Sequence, residues 1–535
     1  MGISGANALI AESGTVMMLT NEGNGRLVTS LPPVHVVMAG YDKLIGTFAE
    51  AMTQLRLLAR SATAQQITSY TTFITGPATL SKEMHIVLLD NGRSEMRADP
   101  HFKEALRCIR CAACANICPS YQQVGGHAFG YIYSGAIGLV VTPFHQGLEA
   151  DAGPQSLCVS CNACETVCPV EIPLPNLILE VRSRVVEAKG LPWLKKVIFG
   201  AMARRRLFDM AVRCFSFAQL PLTRGSNYIS TRSLGILGKL PVVRAIAKLA
   251  RWRSLPAFAT KPLRDRVKGQ ASTEHPGVTV CYFAGCMIDR LFPEMGEAAI
   301  QVLRACGVQV TFPQQQNCCG LIALNSGDRK DCAKMARQTI TMLEQALEES
   351  KADYIVGATT SCVVTLTQDY IRLFEDLQEH GWLRRAQALA GKVMDFASFV
   401  DHVLLANGVK LPVRKRDGEG DKVIVTYHDS CQSINCLGLR SEARHIIQGA
   451  LGLELREMPQ SDVCCGFGGS TSIEHGDVSE RMMNNKLNNA ESTGAMVLVA
   501  DNPGCLMHLR GGVDASGRKM RVLHLAQLIA EQLEE

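Results

Sequence analysis

Two hydrophobic rhythms alternate along the chain, and the places where they switch divide it into zones. Residues 1 to about 95 carry short apolar runs, ALIAE, TVMMLT, VHVVMAG and HIVLLDNG, separated by glycine-rich turns, which predicts strands. One stretch there, YDKLIGTFAEAMTQLRLLARSA, has helical spacing, so the zone reads as α/β. From about 276 to 535 a longer unit occurs twice. A strand, VTVCYFAG or KVIVTYHD, runs into a cysteine and a helical segment follows, EMGEAAIQVLRACG or SEARHIIQGALG. A second strand then leads to Cys-Cys-Gly, and a further helix leads to a third strand, ADYIVGAT or AMVLVADN, ending near another cysteine. This predicts a βαβαβ unit in tandem, with the cysteines past the carboxyl ends of the strands, where open parallel sheets hold ligands.

Between these zones the pattern is interrupted by cysteine. The chain has 535 residues and 21 cysteines, a fraction well below the ~8–10% of a disulfide scaffold. The N-terminus lacks the basic and apolar segments of a secretion signal, and no run of about 18 apolar residues occurs, so a soluble, cytoplasmic, reduced chain is expected. Metal or redox chemistry then accounts for the cysteines better than disulfides do. The adjacent pairs Cys318-Cys319 and Cys464-Cys465 support this: neighbouring Cα atoms lie ~3.8 Å apart, short of the ~4.4–6.8 Å that bridged cysteines span.

The most specific motif is CIRCAACANICP, with Cys108, Cys111, Cys114 and Cys118 before a proline, repeated as CVSCNACETVCP with Cys158, Cys161, Cys164 and Cys168. Three thiolates within seven residues can reach three irons of one cubane, while the fourth points elsewhere; in two-cluster ferredoxins it ligates the other cluster. Cys108, Cys111, Cys114 and Cys168 are therefore assigned to one [4Fe-4S] cluster, and Cys158, Cys161, Cys164 and Cys118 to a second. A four-cysteine zinc site takes two pairs, not a triple plus an outlier.

In the tandem unit, Cys286, Cys318, Cys319 and Cys362 recur as Cys431, Cys464, Cys465 and Cys505, displaced by 143 to 146 positions. Each set can hold one metal centre, iron–sulfur or a four-thiolate zinc. The glycines after Cys465 let backbone N–H groups approach the sulfur. His428 and Asp429 stand just before Cys431 and suit a hydrogen-bonding role beside a centre. Cys214, Cys306 and Cys332 read as buried thiols; Cys281 and Cys436, each five positions from a ligand candidate, could be auxiliary ligands but read better as core thiols. Glu12 and Asn21 to Arg26 could line an anion pocket or serve only their turns.

Charge adds one further element. From Lys195 to Lys268 there are seventeen Lys and Arg against two Asp, while the remainder is net acidic. With apolar stretches such as WLKKVIFGAMARRRLF, this segment fits an anionic lipid surface or an acidic partner, or a solvated helical linker. No aromatic platform or nucleic-acid motif accompanies it, so nucleic acid is not an expected partner.

These residues resemble known families. The tandem unit is similar to the cysteine-rich CCG domain of heterodisulfide reductase subunits, of the glycolate oxidase iron–sulfur subunit and of A-type L-lactate utilisation proteins, the last in YHDSC, CCGFGG, TGAMVLVADNPGCLMHL and RVLHLAQL. That pattern ends in Cys-x-x-Cys, and in heterodisulfide reductase five cysteines hold a noncubane cluster; here Thr359 and Asn502 stand where the first of that pair would fall, which implies a four-cysteine centre. Residues 1 to about 190, including ITSYTTFITGP and GGHAFGYIYSGAIGLVVTP, resemble B-type proteins of the same lactate family, with a LUD α/β domain shorter than usual. The resemblance implies a B–A fusion: a partial LUD-like domain at 1–95, a helical two-cluster ferredoxin module at 96–190, a basic helical linker at 191–275, and CCG domains at 276–410 and 411–535. It further implies an iron–sulfur oxidoreductase subunit that takes electrons from lactate oxidation toward a quinone or other carrier, with partner subunits, one of which could complete the LUD sheet. A glycolate-oxidising or heterodisulfide-reducing subunit is the alternative, as is an electron-transfer scaffold with zinc in the CCG repeats. No G-x-G-x-x-G nucleotide fingerprint is present.

Overall fold

The computed structural model describes residues 1–68, 70–235, 241–267, 277–414 and 423–534. The boundary expected at 275 to 276 lies outside the described residues.

The N-terminal zone forms two sheets. Strands β1 (Gly2–Ser4), β4 (Val34–Gly40) and β7 (Glu83–Leu89) pair in parallel in that order. A second sheet has the order β5 (Leu44–Ile45), β2 (Ala8–Ile10), β3 (Thr15–Thr20), β6 (Tyr70–Ile74), with β2–β3 and β3–β6 antiparallel. The helix expected from Tyr41 starts only at Phe48, because Leu44 and Ile45 pair with β2 and Thr47 with Glu50 forms a capping box that fixes the helix start. The Glu12 carboxylate accepts from the Phe48 N–H at 2.6 Å, at the same helix N-terminus. Arg26 stacks over Tyr70 at 4.1 Å.

The cysteine-dense zone is helical, built on Gly135–Gln146 and Leu174–Lys189, whose apolar faces close a core around Phe102, Phe129, Leu139 and Ile178. Two of its glycines are explained by close approach. A Cβ on Gly135, at φ 73°, would come 2.6 Å from the Ala115 Cβ, and one on Gly138 would come 2.1 Å from the Tyr133 carbonyl.

The basic zone is helical too, with Trp193–Met202 and Arg205–Ala218, plus a small antiparallel pair, β8 (Tyr228–Ile229) and β9 (Leu255–Pro256). Several of its cations are structural. Arg264 meets Asp289 at 2.7 Å and Arg253 is 3% exposed, so part of the positive charge is spent inside the fold.

Each C-terminal half is a four-stranded parallel sheet, one strand longer than the expected βαβαβ unit. The first has the order β11 (Val308–Thr311), β10 (Val278–Phe283), β12 (Tyr354–Gly357), β13 (Val393–Asp395). The second repeats it as β15 (Glu454–Leu455), β14 (Ile424–Tyr427), β16 (Val497–Ala500), β17 (Arg521–His524). The two halves share one continuous apolar core that includes Val280, Val356, Val425 and Val499. No helix of the described residues is long and apolar enough to cross a membrane.

Candidate metal centres

The two ferredoxin-type loops fold alike. Arg110 and Ala112 in the first loop, and Ser160 and Asn162 in the second, have positive φ between 53° and 62°. Without glycine's freedom, these left-handed residues reverse the chain between cysteines. Short helices then start at Ala113 and Ala163.

The fold sets the fourth cysteine of each loop beside thiols of the other loop. The Cys114 thiol, raised chiefly by burial, is raised further by Cys108, Cys111 and Cys168. Cys118, Cys158, Cys161 and Cys164 line one small cavity, and burial pushes the Cys118 thiol up to about 12. Thiols gathered and desolvated in this way resist ionisation unless a cation compensates, which is the condition a metal core satisfies.

The Cys-Cys-Gly segments solve a geometric problem in each repeat. Cys318 faces Cys286, with sulfurs 3.6 Å apart, while its neighbour Cys319 faces Cys362 at 3.3 Å. In the second repeat Cys464 contacts Cys431 and Cys465 contacts Cys505. Adjacent side chains thus diverge to opposite partners. The following glycine, Gly320 at φ 92° or Gly466 at φ 93°, donates its N–H to the first sulfur of the pair at 3.4 Å. A Cβ on Gly466 would come 2.7 Å from Met482 Cβ, and one on Gly320 would come 3.1 Å from the Cys332 sulfur. Hydrogen bonds from Cys318 and Cys362 hold Cys319 well below an ordinary thiol, and those from Cys431 and Cys465 do the same for Cys464.

The two repeats differ in their surroundings. His428 is fully buried, its Nδ1 meets the Ser461 carbonyl at 3.0 Å, and its ring lies with the Cys465 and Cys505 sulfurs in a group whose ligand atoms are all within 4.8 Å of one another. The equivalent position in the first repeat is Phe283. Asp429 turns away into a two-pronged pair with Arg444 at 2.8 and 2.9 Å. His508, three residues past Cys505, binds Arg253 at 2.8 Å; the first repeat has Thr365 there. Contact with Cys465, with His428 beside it, draws the Cys505 thiol down to about 6 against the effect of burial. Spacing alone did not mark Arg253, which arrives from the basic zone, although His508 sits one helical turn from Cys505 and was legible in that sense.

Asn502 and Thr359, in the places of a fifth cysteine, have work of their own. The Asn502 side chain caps the Pro503–Ser516 helix through the Gly504 N–H at 3.0 Å, and the Thr359 hydroxyl donates to the Ala284 carbonyl at 3.3 Å.

All eight cysteines of the repeats line a single cavity of about 180 Å³, together with Val159 and Ser160 of the second ferredoxin loop, Met202 and Phe467. That loop rests on the second repeat. Cys161 packs with Cys464, Val478 and Met482, and Asn435 donates to the Cys161 carbonyl at 2.8 Å. Asn162 donates to the Cys436 sulfur at 2.9 Å, so Cys436 is partly exposed at this seam and not in a core. Arg182 ties the same loop to the first repeat, donating to the carbonyls of Gln155, Cys158 and Asn325 at 2.6–2.7 Å. Cys281 and Cys332 are fully buried, Cys306 is half-buried, and Cys214 is exposed, contrary to the expectation of a buried thiol. It lies on a helix face that nothing in the described chain covers.

Comparison with known proteins matches four segments of the chain. Residues 1–96 match the LUD domain, 104–172 the 4Fe-4S dicluster domain, and 280–367 and 425–510 the CCG cysteine-rich domain. The chain is 43% identical over 278 residues to lactate utilization protein B of Bacillus subtilis, covering 50% of this chain and 57% of that protein. It is 37% identical over 274 residues to lactate utilization protein B 1 of Bacillus mycoides, covering 50% and 54%. It is also 45% identical over 196 residues to an uncharacterized electron transport protein, YkgF, of Escherichia coli, covering 36% and 41%. The chain spans about half the length of these curated relatives. It joins a LUD domain, a 4Fe-4S dicluster domain and CCG cysteine-rich segments in one polypeptide.

Proposed function

We propose that this chain is the iron–sulfur subunit of a complex that oxidises L-lactate to pyruvate and passes the electrons toward a quinone or another carrier. The observation that carries the reading is the single cavity shared by both CCG cysteine sets and the second ferredoxin loop. Cys108, Cys111, Cys114 and Cys168 would hold one [4Fe-4S] cluster and Cys158, Cys161, Cys164 and Cys118 another. Cys286, Cys318, Cys319 and Cys362, and Cys431, Cys464, Cys465 and Cys505, would each hold a further cluster. When bound, these groups supply one-electron transfer. Oxidation of the hydroxyl carbon releases two electrons and two protons, so a pair of one-electron centres on one cavity suits the stoichiometry.

The chain's own residues define what it contributes. Gly320 and Gly466 present N–H donors to sulfur, and His428 stands ready to hydrogen-bond the Cys465–Cys505 pair. Cys161 against Cys464 makes the second ferredoxin loop the neighbour of the second CCG site, with the Cys108 loop farther along. The described lining of the cavity carries no Lys or Arg, so a lactate carboxylate would meet only hydroxyl and amide groups there. Its cationic anchor is therefore assigned to a partner subunit, and the exposed run Ile86 to Leu89 on β7, 39–43% exposed, is where a chain extending the LUD sheet would pair.

Anaerobic turnover of the purified complex with lactate and an artificial dye tests the reading; absence of turnover with every cluster intact overturns it. Metal analysis separates it from the scaffold alternative: roughly twelve to sixteen iron per chain fits redox-active repeats, about eight iron with about two zinc fits a scaffold. Glycolate turnover without lactate turnover would move the assignment to the glycolate-oxidising alternative.

A further inference from the structure

We infer that the helices Trp193–Met202 and Arg205–Ala218 form a docking surface for an anionic lipid bilayer, with Arg204, Arg205 and Arg206 at their junction receiving lipid phosphate. The surface is argued from its own side chains and stands independently of the reaction proposed above.

On the first helix Trp193, Leu194, Val197 and Ile198 are 75, 54, 61 and 44% exposed and fall on one face at helical spacing. On the second, Leu207, Met210, Cys214 and Phe217 recur at intervals of three and four and are all exposed, with Arg206 and Arg213 along one flank. Two successive helices thus turn large apolar side chains to solvent, which a soluble surface rarely does in a contiguous patch. Trp at the edge and cations beside the strip are the arrangement of helices that lie in a membrane interface.

The charge decides between occupants. Among the described residues no carboxylate lies within salt-bridge distance of Lys196, Arg204 or Arg206, whereas Lys195 is paired with Glu474. The one acid on these helices, Asp209, is engaged by Arg264 and Arg290 and lies 3.7 Å from Arg205, so Arg204 and Arg206 carry the uncompensated charge of the run. A second copy of the chain would set the arginine run against its own image, and like charges would oppose the contact. An anionic bilayer satisfies both the apolar strip and the cations.

The junction is also concave. A cavity of about 650 Å³ lies between it and the Arg329–Ser350 helix, lined by Arg204, Arg205, Arg206, Arg337, Asn317 and Trp382. That volume is in the usual range for bound molecules. Guanidinium forks suit a phosphodiester. The opposite face of the first helix, Phe199 and Met202, packs in the cluster that contains Cys318, Cys319 and Cys362. The bilayer would then lie one helix diameter, about 10–12 Å, from the first CCG site.

The test is vesicle co-sedimentation of the full, cluster-loaded chain under anaerobic conditions. Phosphatidylcholine vesicles with about 30% phosphatidylglycerol should retain it at ~50 mM salt and release it at ~500 mM, and pure phosphatidylcholine should retain little. V197E/M210E and R204E/R206E should each lower the retained fraction about ten-fold with melting temperature and visible absorbance unchanged, and the arginine variant should flatten the salt dependence. Equal retention on neutral vesicles, or by R204E/R206E, overturns the proposal. So does binding of inorganic phosphate without vesicle retention, or a V197E/M210E variant that turns an oligomer into a monomer while vesicle retention stays at the wild-type level.

Discussion

Replacing Arg182 with methionine keeps an apolar stem in the Leu174–Lys189 helix and deletes every donor at its end. Arg182 is 7% exposed; its Nε meets the Gln155 side-chain oxygen at 2.8 Å, and its other nitrogens reach the carbonyls of Gln155, Cys158 and Asn325 at 2.7, 2.6 and 2.7 Å. Three backbone acceptors lose a charged donor at once, at about 1–3 kcal/mol each before relaxation. Removing a buried cation also removes its desolvation cost, which offsets part of the loss. Asp151, fully buried beside Arg182, adds no new charge, because burial already pushes its carboxyl up to about 8 and it stays neutral near pH 7. The net expectation is about 3–5 kcal/mol. For a cooperative unit of about 150–250 residues that is a fall of roughly 6–20 °C in melting temperature. The damage falls where the carbonyls are, at the entry to the Cys158 loop and at Asn325 on the shared cavity. Iron per chain should therefore drop by about four, with the paramagnetic signal of one ferredoxin-type cluster lost and the other kept. R182K, which retains the charge but one nitrogen only, should fall between. Unchanged melting, iron content and spectrum in R182M would show that water or neighbouring groups satisfy these carbonyls and that Arg182 does not brace the loop.

Serine at Cys168 should delete the same cluster signal as serine at Cys108, and serine at Cys118 the other signal; loss of one signal by both Cys108 and Cys118 variants would refute the crossed grouping. Alanine at Gly466 places a Cβ 2.7 Å from Met482 at φ 93°, so about 2–3 kcal/mol and part of the metal at the second CCG site should be lost, with G320A milder; isothermal chemical denaturation and metal analysis check both. Asp501 is fully buried and pushed up to about 8 by burial, then by Asp395. The folded chain therefore holds a proton that the unfolded chain has released above about pH 4, and stability falls as pH rises from there toward 8. D501N should flatten that fall in melting temperature between about pH 5 and pH 8, whereas parallel curves for variant and wild type would refute it.

The parts of the fold that were legible in sequence are those written in local spacing. The cysteine triples, the displaced fourth cysteine and the recurrence of Cys-Cys-Gly each depend on neighbours in the chain, which a local pattern can show. The fourth strand of each repeat was missed because β13 and β17 have only three and four residues and run straight into helices, too short for a period to register. The start of the helix at Phe48 was misplaced because strand pairing of Leu44 and Ile45 overrides their helical spacing. Arg182 and Arg253 were invisible as site residues, since their partners lie 143 and 255 positions away and no local pattern announces such contacts. The basic zone was read as a single charge, but the fold divides it. Arg253 and Arg264 serve the interior, whereas Arg204 and Arg206 remain on the surface.

The left-handed residues of the ferredoxin loops bear on how the protein comes to be assembled. Arg110, Ala112, Ser160 and Asn162 each hold a conformation that costs a non-glycine residue about 1–2 kcal/mol, so an empty loop gains by relaxing. Each group of four thiols also borrows its last member from the other loop. Neither nest is whole until both halves of the module have met, and losing one weakens the other. Iron delivery to this polypeptide should thus be a late event in its maturation, one that waits until both loops have been made and have met.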